Sequence, residues 1–399
     1  MSVATRSAYA EVMGSNIAQN RRAANRGDRD FTSNLHFGGK KRIFTSNPQI
    51  GGKGMRGLFR RHDPSSQVRF QDAAQRASAQ ARVLSGTPGT LKQRTQSGKR
   101  YWVREYIRID GAKTDEYLGP VAALADARVA ELRAGIELAR ALAAASGALR
   151  LAGYQRIDRK PAAVLAVFFN RGLCAAGLTL VGSHAYGVLL NELGVIAPAY
   201  RTQDLDVARS QPLALALPAD ESFGAVLNES GLAFIPVPGL PSSRPSASFK
   251  LPGAEALLVD LLVPGREAGK VVAVKELATH GQTVPLLEFL VEAPLESVVL
   301  SPNQIVPVRV PAPERFVLHK LYASQMRRAH PGKGKKDLEQ AAVIAAALEE
   351  SLPGRLKDAW KALPLAGRSA ARRAAQLAAK ILEGKHPEAA AALRALTKK

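Results

Sequence analysis

Cysteine occurs once in 399 residues, at Cys174. That excludes an internal disulfide and a cysteine zinc site. The apolar run around it marks a small buried side chain. Aromatic residues make up only 6% of the chain, with two tryptophans. The seven histidines are scattered without metal-ligand spacing, and His184 and His319 each stand alone in expected helices. No apolar run approaches the roughly 18 to 20 residues that a membrane span needs, so no membrane partner is expected. The N-terminus lacks the apolar core of a secretory signal, which makes a cytoplasmic setting the expectation. There is no Gly-x-Ser-x-Gly elbow, no zinc finger or RNP signature, and no GxxxxGK[ST] phosphate loop.

Acidic residues are also in short supply, 34 against 56 Lys and Arg, for a net charge of +22. Residues 1–110 hold 21 Lys and Arg against 7 Asp and Glu. Residues 151–300 hold 11 against 14, and residues 353–399 hold 11 against 3. Basic ends beside a slightly acidic middle point to a polyanionic partner, nucleic acid first; solvated tails that aid solubility are the plainer alternative.

What is present is 46% hydrophobic, enough for a sizeable core. Residues 1–70 read as a basic, disordered arm, with Gly51, Gly52, Gly54 and Gly57 in a flexible linker and Met55 as a candidate start of translation. Residues 71–150 form a small module: a helix over 71–97 ending in a Gly-Thr-Pro-Gly turn, a hairpin over 99–118, and a long helix to about 149. Asp110-Gly111 supplies the hairpin turn. One hairpin face alternates Trp102, Arg104, Tyr106 and Arg108, a mix of rings and cations that suits nucleic-acid contact. Alternatively, the rings pack on the following helix and the arginines face solvent.

Residues 151–312 alternate helices (161–176, 184–193, 220–230) with strands (178–181, 201–208, 213–217, 255–263, 284–291, 305–310). This predicts an α+β domain with a mixed sheet flanked by helices. A helical subdomain follows over 313–352, with helices over 313–328 and 337–352 around a basic loop at 329–336. A basic helical tail fills 353–399.

Three pieces of the middle domain carry chemistry. A strand runs into a helix through Gly182-Ser183, where glycine admits close backbone approach to a phosphate and the helix N-terminus offers free N–H groups. Asp204 and Asp206 sit two apart on a strand, so their carboxylates share a face and repel unless a cation lies between them. Mg²⁺ takes such oxygen ligands together with substrate phosphates. Asp260 lies within the apolar strand Ala-Leu-Leu-Val-Asp-Leu-Leu-Val, a costly place for an unpaired charge.

Together Gly182, Ser183, Asp204, Asp206 and Asp260 resemble the minimal nucleotidyltransferase domain of the DNA polymerase β superfamily. They resemble in particular a bacterial branch with a GS-helix-T-x-D-x-D core and a preceding YW…YLGP element, matched here by Tyr101-Trp102 and Tyr117-Leu118-Gly119-Pro120. Twenty residues separate Ser183 from Asp204, longer than that pattern. The segments around Lys320 and Lys336-Asp337 resemble helices of related nucleotidyltransferases, abortive-infection toxins among them. The resemblance implies Asp204, Asp206 and Asp260 as catalytic metal ligands for Mg²⁺ or Mn²⁺. It implies a nucleoside triphosphate held near Gly182, Ser183, Lys320 and Lys336, with Asp337 orienting a lysine. It also implies NMP transfer to an acceptor hydroxyl of RNA or protein. The competing reading is a nucleic-acid-binding or regulatory protein on an inactive scaffold of the same fold.

Overall fold

A computed structural model of the chain describes residues 57–198, 202–214, 217–218, 221–239, 245–253, 257–327 and 329–397. The expected linker at 51–54, Met55 and the arm up to residue 56 lie outside the described residues.

The central sheet is organised by two parallel neighbours, Asp204–Ala208 and Leu258–Pro264. Buried and partly exposed residues alternate along both, up to Ala208, which is also buried. Leu205, Val207, Val259 and Leu261 are buried on one face, which leaves Asp204, Asp206 and Asp260 on the other. Thr179–Leu180 pairs antiparallel with the first strand, and Thr279–Val284 pairs parallel with the second. Val271–Val274 forms an antiparallel edge, and Ser248–Lys250 pairs antiparallel with the start of Leu258–Pro264. This mixed sheet with flanking helices is the α+β fold that the alternation predicts. A separate antiparallel ladder, Leu295–Leu300 with Ile305–Val310, is almost wholly buried.

Several elements differ from expectation. The first helix is Pro64–Ser78, so it begins inside the stretch read as disordered, and the helix expected over 71–97 ends at Ser78, with a strand over Thr90–Gln96. The Asp63 carboxylate accepts from Ser66 N–H at 2.9 Å, Pro64 opens the first turn, and Phe70, Ala73 and Ala77 are buried. The apolar run at 284–291 is not a strand, because Leu287–Val291 turns into a helix just past Pro285. Short apolar runs do not declare their period. Of the strand expected at 213–217, residues 213, 214 and 217 are irregular and the other two lie outside the described residues. The basic loop at 329–336 is helical from Pro331, since Pro331–Ser351 is one helix. The last segment is more than a tail. Ala371, Ala374, Ala375, Ala378 and Leu382 of Leu365–Leu382 are buried, an alanine ridge that lets helices approach closely.

The hairpin is a three-stranded sheet, Thr90–Gln96, Lys99–Ile107 and Lys113–Pro120. The first strand, Thr-Leu-Lys-Gln-Arg-Thr-Gln, is too polar to show apolar alternation. Arg104 is corrected from a nucleic-acid contact to an internal tie. Only 1% of its side chain is exposed, and it donates to Glu116 at 2.7 Å and to the Ser85 and Thr87 carbonyls. It also stacks on Tyr106 at 4.0 Å. Trp102 lies under Arg133 of the Asp126–Leu151 helix, 5.7 Å away, and Arg108 pairs with Asp110 at 2.7 Å. Trp102 and Arg104 therefore turn inward, while Arg108 is exposed. Arg104→Ala removes a buried guanidinium from its ion pair with Glu116 and leaves two carbonyls without a donor, so it is expected to cost about 3 kcal/mol. Arg104→Lys should recover less than half of that, lacking the planar fork. Urea unfolding measures both, and a loss under about 1 kcal/mol for Arg104→Ala contradicts the assignment.

Candidate active site

The register of the two central strands sets the site. Asp260 stands directly opposite Asp206, and Leu258 opposite Asp204. Directly opposed residues of neighbouring strands share a face, as do residues two apart on one strand. All three acids therefore project from one side of the sheet. The turn before the Gly182–Glu192 helix closes on them. Val181 N–H donates to the Asp206 carbonyl at 3.0 Å. Gly182 has φ +68°, and a methyl group there would overlap Asp206 Oδ2. Glycine is thus required twice, for its backbone angle and for the contact with the carboxylate. Ser183 follows in the first helical turn, partly exposed.

Electrostatics at the acids are unfavourable without a positive partner. Burial raises the Asp206 carboxyl to about 6; repulsion from Asp260 and Asp204 adds to this, and Lys320 and Arg327 oppose it. Asp260 is also raised, first by burial and then by Asp204, against a hydrogen bond from Ser248 and the charge of Lys333. Its Oδ1 is buried with no hydrogen-bond partner. Asp204 N–H donates to Thr202 Oγ1 at 3.2 Å, which fixes the strand entry.

Cations arrive from two helices. On Pro313–Met326, Lys320 is only 7% exposed, and its Nζ lies 2.6 Å from Asp337 Oδ1. Arg327 Nε reaches the other Asp337 oxygen at 3.2 Å. Lys333, Lys335 and Lys336 occupy the first turns of Pro331–Ser351, the positive end of that helix dipole. Cations are disfavoured there unless an anion is near. Lys336 is held below the usual lysine range by burial and by Lys320, while Asp337, Asp204 and Asp206 pull the other way. Lys335 faces solvent and approaches Glu339.

His184 and His319 are both pushed down to about 4, by burial first, and stay neutral near pH 7. His319 meets the Pro285 carbonyl at 3.3 Å. Both serve packing. Sequence reasoning missed Ser248 and Arg327. Ser248 falls in a Pro/Ser-rich stretch that shows no strand pattern, and nothing in the sequence ties it to Asp260.

Asp337→Ala would leave Lys320 buried without its counter-charge. The expected cost is about 3 to 5 kcal/mol, whereas Lys320→Met with Asp337→Leu should regain most of it. Urea unfolding of the single and double variants decides this, and equal stability of both contradicts a buried pair.

Among the described residues, no three His, Cys, Asp or Glu side chains close into a ready metal cage. The three acids share one face and register of the sheet. Among the described residues, no helix is long and apolar enough to cross a membrane.

Comparison with known proteins agrees with the chemistry. A search of curated proteins returns no match. An antigenic nucleotidyltransferase-like protein from Paracoccidioides brasiliensis, a solved structure, aligns with 14% identity over 51% of this chain and 92% of that one. Its TM-score of 0.28 is too low to carry weight. A family model described as nucleotidyltransferase matches residues 159–364, just over half of the chain, from the helix before the glycine turn to the helices that bring the lysines. By that match the chain belongs to the nucleotidyltransferase family, as a transferase that takes a nucleotide substrate.

Proposed function

We propose that the chain is a divalent-metal-dependent nucleotidyltransferase of the DNA polymerase β superfamily. It moves an NMP from a nucleoside triphosphate to a hydroxyl of RNA or protein. The observation that carries this reading is the register of Asp206 against Asp260, with Asp204 two residues away and Gly182 closed against Asp206.

The residues fit Mg²⁺ or Mn²⁺. The donors are hard carboxylate oxygens, those of Asp206 and Asp260 raised in pKa first by burial and then by their acidic neighbours, and Asp260 Oδ1 is a buried acceptor without a partner. Asp204, Asp206 and Asp260 would hold the ion or ions. When bound, the metal supplies charge neutralisation at the triphosphate and a lower pKa for the acceptor hydroxyl.

The protein's own part is positioning. Gly182 and Ser183 offer helix N-terminal N–H groups and a hydroxyl to phosphate oxygens. Lys320, fixed by Asp337, and Lys336 offset triphosphate charge from the facing helices. The acceptor oxygen attacks the α-phosphorus, the bond between the α-phosphorus and its bridging oxygen breaks, and pyrophosphate leaves. Asp260 accepts the hydroxyl proton.

The test is incubation of purified protein and Mg²⁺ with each of four labelled triphosphates, against total RNA and total protein. Label should move from at least one triphosphate to one acceptor class. No transfer from any triphosphate, with normal Mn²⁺ binding, rejects the reading.

A further inference from the structure

The three-stranded sheet has two unlike faces, and the one turned away from the Asp126–Leu151 helix is unused by the transfer site. Strand register places Lys92, Arg94, Tyr101, Glu105, Lys113 and Tyr117 on that outer face. Arg94 and Lys113 are 50% and 67% exposed, and Tyr117 is 44% exposed. The Tyr101 and Tyr117 rings lie 5.5 Å apart, tilted 54° to each other.

The cations are held in place. Glu105, only 12% exposed, receives Lys92 at 2.6 Å, Arg94 at 2.7 Å and Lys113 at 3.1 Å. Arg94 Nε also meets Asp115 at 3.0 Å. One sunken carboxylate thus gathers three long cations on the face that carries the tyrosine pair, their side chains 43%, 50% and 67% exposed. With Lys99 at the strand end, the face carries four cations against two acids.

We infer that this outer face binds single-stranded nucleic acid, stacking bases on Tyr101 and Tyr117 and meeting phosphates with Lys92, Arg94 and Lys113. Rings flanked by cations on an open sheet suit bases whose faces are free, which a duplex does not offer. The complementarity is that of a polyanion with exposed aromatic faces. The surface is opposite to the Trp102 and Arg104 face that the sequence alone suggests. It lies outside the transfer site and stands or falls separately from it.

The test is fluorescence anisotropy of the full chain with a labelled oligo(dT) of about 20 nucleotides, longer than a typical single-strand site. Tyr101→Leu with Tyr117→Leu should weaken binding about tenfold, while Tyr101→Phe with Tyr117→Phe should retain it. Lys92→Gln with Lys113→Gln should lower the slope of log affinity against log salt by about 1.4. Circular dichroism melting checks that each variant is folded. Unchanged affinity in the leucine pair, an unchanged salt slope in the glutamine pair, or tighter binding of the matching duplex overturns the inference.

Discussion

Asp206→Asn is expected to lower nucleotidyl transfer by about a thousandfold, the scale on which an active-site electrostatic group acts. The same change should stabilise the metal-free protein near neutral pH. Asp206 carries a carboxyl raised to about 6 by burial and by its acidic neighbours. In the unfolded chain that carboxyl has its ordinary value of 3.8. Between the two, the folded protein binds a proton that the unfolded chain has released, so stability falls as pH rises from about 4 through 6. Above that range the ionised group costs folding roughly 2 to 3 kcal/mol, which Asn removes. The stability gain should therefore be present at pH 7.5 and vanish near pH 4. Thermal melts of wild type and variant across this range, without divalent metal, measure it. A variant that is inactive and also less stable at pH 7.5 would mark Asp206 as a packing residue.

Gly182→Ala is expected to cost about a hundredfold in transfer, the penalty that roughly an ångström of misplacement brings to a reacting centre. The added methyl overlaps the Asp206 carboxylate, and the backbone angle of +68° strains any residue with a Cβ. The carboxylate must swing away or the turn must open, and either moves Ser183 relative to the acids. Ser183→Ala removes one hydroxyl and leaves the turn intact, so its loss should be far smaller, near tenfold for one neutral hydrogen bond. Comparing kcat and KM separates the two, because Gly182→Ala should act mainly on kcat. Near-normal kcat in Gly182→Ala would show that the turn does not govern the acids.

The acids were legible because strands alternate. Asp204 and Asp206 declare a shared face by spacing alone, and Asp260 stands out as a charge in an apolar run. The glycine turn was legible only beside the acids, because strand–Gly–Ser–helix junctions are common and say little alone. The lysine helix was legible only in part. The run at 333–336 reads as a loop because Gly332 and Gly334 weaken the helical pattern, yet Pro331 starts the helix and places Lys336 toward the acids. The Trp102 to Arg108 face shows where spacing stops helping. Alternation assigns residues to faces correctly but does not say which face the next helix covers. Arg104 looked like a free cation and is instead consumed by Glu116 and two carbonyls. The start of the first helix, from Pro64 to Phe70, was hidden because a short basic segment with one buried ring has little periodicity to show.

The most direct measurement is a Mn²⁺ titration of the full chain with a nonhydrolysable triphosphate, followed by electron paramagnetic resonance. Wild type should bind the ion and tighten it when the triphosphate is added; the chain carrying Asp204→Asn and Asp206→Asn should do neither while melting cooperatively. Equal Mn²⁺ binding by both proteins, or none by either with or without triphosphate, would mean that the carboxylates grouped beside the glycine turn are not a metal-nucleotide centre.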